Sequence, residues 1–181
     1  MKTMRMLLAA EALLVLSVSG VWAQDFPKPS AEHEQLKLLA GEWDAQVKCH
    51  QPGKGAEESK GRYSAKMDVG GFFLVTEFQA EIGGQPFQGR GFNGYDPAKK
   101  KYTGVWVDSM SPGIYNSEGE FDKAGKVFTE TMQGPGPDGK PMKMRMTTEL
   151  KDSDHMVFKM YAPGEDGKDA LMMEIAYTRK K

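Results

Sequence analysis

The chain has 181 residues, 39% of them hydrophobic, a size and composition typical of one domain with its own core. Its 24 basic and 25 acidic residues nearly cancel, so it lacks the basic field that recruits nucleic acid or anionic lipid, and we predict neither partner. Cys49 is the single cysteine, which excludes an intramolecular disulfide.

Residues 1–23 have the pattern of a bacterial secretion signal. Lys2 and Arg5 give a positive start, the run at 7–18 is mostly apolar, and a small residue ends the segment. The run is too short for a permanent bilayer anchor. We therefore expect cleavage of the signal, a single β-barrel domain at 24–181, a secreted or periplasmic location, and no stable membrane insertion. An uncleaved anchor is the alternative.

A short helix is predicted next. Ser30 can cap it, residues 31–40 favour helix, and Leu36 and Leu39 lie on one face. Gly41 ends the helix because glycine accepts the positive φ that a helix terminus often needs.

After Gly41 the apolar residues recur with a period of two, which predicts β-strands to the end of the chain. Paired glycines at 70–71 and 83–84 suit tight hairpins between strands. Consecutive strands joined by short turns favour an all-β fold, an antiparallel up-and-down, lipocalin-like β-barrel of about 8–10 strands with one short N-terminal helix. A two-sheet sandwich is the alternative. The predicted strands lie at 43–49, 61–69, 72–82, 86–95, 101–108, 113–121, 126–133, 141–151, 154–162 and 169–178.

Several motifs along the chain resemble known proteins. Gly41-Glu42-Trp43 resembles the Gly-x-Trp opening of lipocalins and other calycins. The wider set comprises Leu39-Ala-Gly-Glu-Trp43, Gly71-Phe-Phe-Leu, Gly84-Gln-Pro-Phe-Gln-Gly-Arg-Gly-Phe-Asn-Gly-Tyr-Asp96, Lys101-Tyr-Thr-Gly-Val-Trp-Val-Asp108, Ser117-Glu-Gly119 and Tyr177-Thr-Arg-Lys-Lys181. Together these motifs resemble the bacterial domain of unknown function fifteen seventy-nine, DUF1579, over residues 30–181. The resemblance implies a secreted or cytoplasmic lipocalin-like β domain, and it brings no established substrate, cofactor or catalytic residue.

Alternating apolar residues identify the side of each strand that faces the barrel interior. Trp43 shares an apolar face with Ala45 and Val47 in the first strand, and Phe78 lies on the apolar face of the third. We therefore predict that Trp43 and Phe78 form walls of an interior cavity.

The fifth strand offers a further wall and a polar anchor. Trp106 and Asp108 share a face, and Asp108 ends the strand, where a polar ligand group could be held at the barrel mouth. The alternative is that Trp106 is plain core and Asp108 caps a turn.

Arg90, between Gly89 and Gly91, is a second candidate anchor, since an inward arginine would bind a carboxylate. The alternative is an exposed arginine on a kinked strand.

Methionine is unusually frequent, with 13 residues. Met142, Met144 and Met146 alternate, so three thioethers share one side of a strand. This pattern is compatible with ordinary core, with a deformable wall around an apolar ligand, or with a soft Cu(I) site. His155 lacks the paired spacing that zinc needs, and a hydrolase built from Ser117 and His155 would lack the nucleophile-elbow motif.

Three functions are compatible with these features. The first is an exported protein that binds an apolar or amphipathic small molecule in the barrel cavity. The second is a non-catalytic structural or interaction domain whose barrel is filled by its own side chains. The third is copper binding by methionine, or an enzyme of unknown type. Because no spacing assembles a nucleophile, a base and an orienting partner, we assign no catalytic residue, cofactor or metal ligand.

Overall fold

A computed structural model of the chain describes residues 26–50, 55–136, 139–164 and 167–181. The predicted secretion signal at 1–23 lies outside the described residues. Within the part of the chain that the structure describes, no helix has the length and hydropathy needed to cross a membrane.

The short N-terminal helix forms where the sequence predicts it. Helix α1 spans Ala31–Leu36, and one 3-10 turn at Lys37–Leu39 continues it. Ser30 is the N-cap, and its backbone N–H donates to Nδ1 of His33 at 2.9 Å. This bond satisfies a backbone donor at the helix start and gives a ring nitrogen of the buried His33 a partner.

Ten strands lie in the described part of the chain, close to the segments that alternation predicts. They are β1 Gly41–Cys49, β2 Glu57–Asp68, β3 Phe73–Ile82, β4 Gln85–Asp96, β5 Lys101–Asp108, β6 Ser111–Phe121, β7 Val127–Pro135, β8 Pro141–Leu150, β9 His155–Pro163 and β10 Asp169–Arg179.

The strands form one closed antiparallel barrel. Each strand pairs with its neighbours in sequence, and β1 pairs with β10 in the register Trp43 opposite Arg179, which closes the sheet. The predicted up-and-down barrel is therefore confirmed, and the sandwich alternative is wrong. Closure leaves none of the ten described strands with an edge open to pairing with another chain.

Tight turns make the up-and-down order possible. In the β3–β4 turn Gly83 and Gly84 have φ values of 60° and 71°, a region that glycine adopts without steric penalty. The adjoining pair Ile82 and Gln85 then begins the β3–β4 ladder.

The two ends of the barrel differ. We call the end covered by α1 the floor. Leu36 and Leu39 are buried there, and the Tyr102 hydroxyl lies 3.1 Å from both the Glu32 carbonyl and Oε1 of Gln35, so its one O–H can donate to either. We call the opposite end, which carries the β3–β4, β5–β6 and β7–β8 turns, the mouth. The helix therefore closes one end of the barrel and leaves the other for access.

Candidate functional site

The barrel encloses a cavity of about 990 Å³. Leu36 and Leu39 border it from the floor, and Met110, Pro112 and Gly136 border it at the mouth. The volume lies in the range of small-molecule sites, roughly 300–1,000 Å³. The barrel is therefore not filled by its own side chains.

One side of the cavity wall consists of methionine side chains. The alternation in β8 places Met142, Met144 and Met146 on the inner face, and thioethers of neighbouring strands join them across the ladder. Met144 lies opposite Met132, while Met146 lies opposite Met160. The lining methionines of β7 to β9 are Met132, Met142, Met144, Met146, Met156 and Met160. Because thioether side chains are flexible and polarisable, this wall can adapt to the shape of an apolar ligand.

The methionines and His155 do not share a site. His155 is exposed, with Nδ1 2.9 Å from a carboxylate oxygen of Asp152 on the outer side. It also lies apart from Ser117, which is buried and borders the cavity, so the two do not form a hydrolase pair. Among the described residues no group of three His, Cys, Asp or Glu side chains is placed to hold a metal ion.

Aromatic rings form the opposite wall, and two glycines position one of them. Phe78 and Trp106 both line the cavity. A Cβ on Gly89 would overlap the Trp106 indole, and one on Gly91 would lie 3.0 Å from its Cε3 atom. The indole therefore lies flat on the backbone of β4, an approach that only glycine permits at these two positions.

Asp108 lies at the mouth and has two partners. Its Oδ2 accepts from Nε1 of Trp106 at 3.0 Å, and its Oδ1 accepts from the Met110 backbone N–H at 2.9 Å. The structure thus combines the two interpretations of this residue: Asp108 caps the β5–β6 turn, and it also borders the cavity. Its bond to Trp106 fixes the orientation of the indole.

Two of the predicted cavity residues lie elsewhere. Arg90 is on the outer face, where its guanidinium is 3.3 Å from Glu77 and its side chain is 62% exposed. The inward positions of this part of β4 belong to Gly89 and Gly91, so Arg90 must point outward. Trp43 faces inward and is fully buried, but it packs at the floor beneath Arg179 and does not line the cavity.

A carboxyl group on the cavity wall is the feature that the sequence interpretation missed. Glu130 lies on the inner face of β7, and its Oε1 accepts from Nδ2 of Asn93 and from the Ser117 hydroxyl, both at 3.0 Å. Neither of these bonds uses its other oxygen, Oε2. The three side chains come from β4, β6 and β7 and border the same cavity.

Two glycines make room for this polar cluster. A Cβ on Gly104 would lie 2.5 Å from Nδ2 of Asn93 and 2.8 Å from the Ser117 hydroxyl. A Cβ on Gly119 would lie 2.7 Å from Cγ of Glu130. Because both positions lack a Cβ, Asn93 reaches from β4 across β5 and β6, and Ser117 reaches from β6, to the same carboxyl oxygen.

Burial dominates the electrostatics of the cavity. It raises the pKa of Glu130 to about 7, although the hydrogen bonds from Ser117 and Asn93 lower it in part. Burial also raises the pKa of Tyr63 above its usual range, and the nearby Glu130 carboxylate adds to that shift. Tyr177, beside Tyr63, is shifted in the same direction by burial first and by Tyr63 second.

The sequence does contain a signal for Glu130. Phe128 and Met132 lie two residues before and after it, so all three share one face of β7. A glutamate between two large apolar residues of the same face is a candidate for an inward carboxyl group.

A family model described as "Protein of unknown function (DUF1579)" matches residues 28–179. Among solved structures, Rv2717c from M. tuberculosis superposes with a TM-score of 0.65 at 14% identity, covering 84% of this chain and 99% of that one. The S-type phycobiliprotein lyase CPES from Guillardia theta superposes with a TM-score of 0.57 at 11% identity, covering 84% of this chain and 94% of that one. No curated protein matches the chain. At these identities the structural matches show a shared barrel fold.

Proposed function

This chain belongs to the DUF1579 family of proteins of unknown function, and from its cavity we infer that it is a small-molecule-binding protein. The ligand is an apolar or amphipathic molecule held inside the barrel. The observation that carries this proposal is a cavity of about 990 Å³ that is closed at the floor by α1 and bordered at the mouth by short turns.

The wall chemistry supports an apolar ligand. Methionine side chains on one side and aromatic rings on the other offer dispersion contacts and few hydrogen bonds. Transfer of apolar surface from water into such a site contributes about 25 cal/mol for each Å² buried. A ligand that contacts both walls therefore gains affinity from its hydrocarbon surface, and its polar group is left to be placed by the cluster around Glu130 or by Asp108 at the mouth.

The same cavity disfavours the alternative of an interaction domain with a filled core. Such a barrel would pack its interior at the density of other protein cores, with few voids larger than a water molecule. A void of about 990 Å³ is far larger than that.

Export is part of the proposal. The pattern at 1–23 supports secretion, and a carrier outside the cytoplasm would meet its ligand in the periplasm or the medium. Mass spectrometry of the chain recovered from a periplasmic fraction tests this step: a mature chain that begins at residue 24 supports export, and a cytoplasmic chain with an intact segment contradicts it.

Tryptophan emission tests the ligand-binding proposal. Trp106 lines the cavity, whereas Trp43 is buried at the floor outside it. A panel of long-chain alcohols, amines and acids should include compounds that change the emission of the native protein. Trp106→Phe should abolish the change, and Trp43→Phe should retain it. The proposal fails if no compound changes the emission and solvent extraction of natively purified protein releases no small molecule.

A further inference from the structure

We propose that Glu130 binds a basic nitrogen of the ligand, so that the cavity selects molecules with an apolar body and a protonated amine over carboxylic acids of the same length. This inference rests on the proposed function, and it specifies the class of ligand that the cavity holds.

Among the described residues that line the cavity, every ionisable side chain is an acid. Glu130 lies deep between β6 and β8, and Asp108 lies at the mouth. The other ionisable side chains among the described lining residues are the phenols of Tyr63, Tyr115 and Tyr177, and this lining contains no lysine, arginine or histidine. A carboxylate ligand would therefore bring a second negative charge into a cavity whose described lining offers no cation to balance it, which costs free energy in a low-dielectric interior.

The hydrogen-bond pattern around Glu130 is also that of an acceptor site. Asn93 and Ser117 both donate to Oε1, which orients the carboxyl group and stabilises its charged form. Oε2 takes part in neither bond, so it can accept from a ligand that reaches the cluster. An ammonium group supplies donors and the opposite charge together, and charge-assisted hydrogen bonds of this kind are about twice as strong as neutral ones.

Of the described groups that face Glu130, none titrates near pH 7. The titration of Glu130 itself is therefore the main source of pH dependence in ligand binding. Tyr63 on β2 faces it across the cavity, beside Tyr177 on β10, and burial holds the pKa of each phenol above its usual range. Asn93, Ser117 and the thioether of Met146, opposite Glu130 in the β7–β8 ladder, do not titrate. Near pH 7 the empty site thus changes between a neutral and a charged carboxyl group.

Three probes with the same hydrocarbon chain test the inference: dodecylamine, dodecanol and dodecanoic acid. Each is titrated at pH 8 into the native protein, into Glu130→Gln and into Glu120→Gln, which alters an exposed glutamate on β6. Calorimetry and Trp106 emission give the affinities. The native protein and Glu120→Gln should bind the amine at least about tenfold more tightly than the alcohol, and the acid most weakly. Glu130→Gln should lose the preference for the amine, and an unchanged circular dichroism spectrum shows that its barrel is intact.

The pH dependence gives a second readout. Because a cation binds the charged carboxylate, the affinity for dodecylamine should rise between pH 5 and pH 7, by at most about tenfold for each pH unit, and then level off, and Glu130→Gln should remove this rise. Equal affinity of the native protein for amine and alcohol, tighter binding of the acid, or a preference that survives in Glu130→Gln would overturn the inference and leave the carrier function intact. Failure of all three probes to bind would instead contradict the carrier function itself.

Discussion

The guanidinium carbon of Arg179 lies 3.9 Å from the centre of the Trp43 ring, directly across the seam where β1 meets β10. Nη1 of Arg179 also donates to the Ala40 carbonyl at 2.7 Å, and its Nε donates to the Ser153 carbonyl at 2.7 Å. One side chain thus connects the end of the helical segment, both closing strands and the β8–β9 turn. The first and last elements of the barrel are held together at the floor by this contact.

Arg179→Met should therefore lower the free energy of unfolding by about 2–4 kcal/mol, because it removes a cation–π contact and two charged hydrogen bonds. Arg179→Lys should lose less, since it keeps the charge over the indole but not the planar set of donors. Urea unfolding followed by circular dichroism measures both values.

Arg145 provides a matched control for this substitution. Its guanidinium lies 4.0 Å from the centre of the Tyr161 ring and pairs with Asp169 at 2.8 Å, but the side chain is 41% exposed. Arg145→Met should cost less than about 1 kcal/mol, as exposed ion pairs usually do. Equal losses for Arg145→Met and Arg179→Met would show that closure of the barrel at the floor does not depend on the Trp43 contact.

The glycines beneath Trp106 lead to a second prediction. Gly89→Ala would place a methyl group in the indole, so the ring must shift into the cavity and strain the surrounding side chains. We expect a loss of about 1–3 kcal/mol in unfolding free energy, typical of an overpacked core, together with a shift in tryptophan emission. Gly55→Ala is the control, because a Cβ at that position meets nothing within 4 Å. An unchanged emission spectrum in Gly89→Ala would contradict the placement of the indole on β4.

The strand pattern could be predicted because most strands have one strongly apolar face, as Trp43, Ala45 and Val47 show for β1. The inward face of β4 could not be assigned in this way. Phe87 borders the cavity, whereas Phe92 is 45% exposed on the outer face, and the glycines between them carry no hydropathy signal. The pairing of Gly91 with Trp106 in the β4–β5 ladder determines which face of β4 is inward. This pairing is known only from the folded barrel.

The inward position of Glu130 could be predicted from the sequence only in part. Its spacing from Phe128 and Met132 places it inside, but burial of a lone carboxyl group is costly, so sequence reasoning favours an outward glutamate. The cost is offset by Asn93 and Ser117, which are 37 and 13 residues away in the chain. Such partners depend on long-range pairing from β4 to β7 and on the absence of a Cβ at Gly104 and Gly119.

A substitution in the methionine wall distinguishes an apolar ligand site from a copper site. Met144→Leu conserves volume, so it should change the unfolding free energy by less than about 1.5 kcal/mol and leave the binding of dodecanol within a few-fold of the native value. Metal analysis of natively purified protein and a dodecanol titration check both statements. Stoichiometric copper in the native protein that is lost in Met144→Leu would support the soft Cu(I) site and contradict the apolar-ligand proposal.

The stability of the empty protein should decrease as the pH rises through 7. Burial raises the pKa of Glu130 from its ordinary 4.5 to about 7 in the native state. Between these two values the native state holds a proton that the unfolded chain has released, so the native state is favoured at low pH and loses that advantage as the pH rises. The full difference in unfolding free energy between low and high pH is at most about 3 kcal/mol, and it is smaller where water enters the cavity. Urea unfolding at pH 5 and pH 8 measures it.

Glu130→Gln should remove this pH dependence. The glutamine Oε1 can still accept from Asn93 and Ser117, and the neutral side chain has no charge to bury at pH 8. The variant should therefore be more stable than the native protein at pH 8, by up to about 3 kcal/mol, and close to it at pH 5. Glu120→Gln, on the exposed face of β6, should retain the native pH dependence. A native protein equally stable at both pH values would mean that Glu130 keeps its charge in the empty cavity, with water or a bound cation in contact with Oε2.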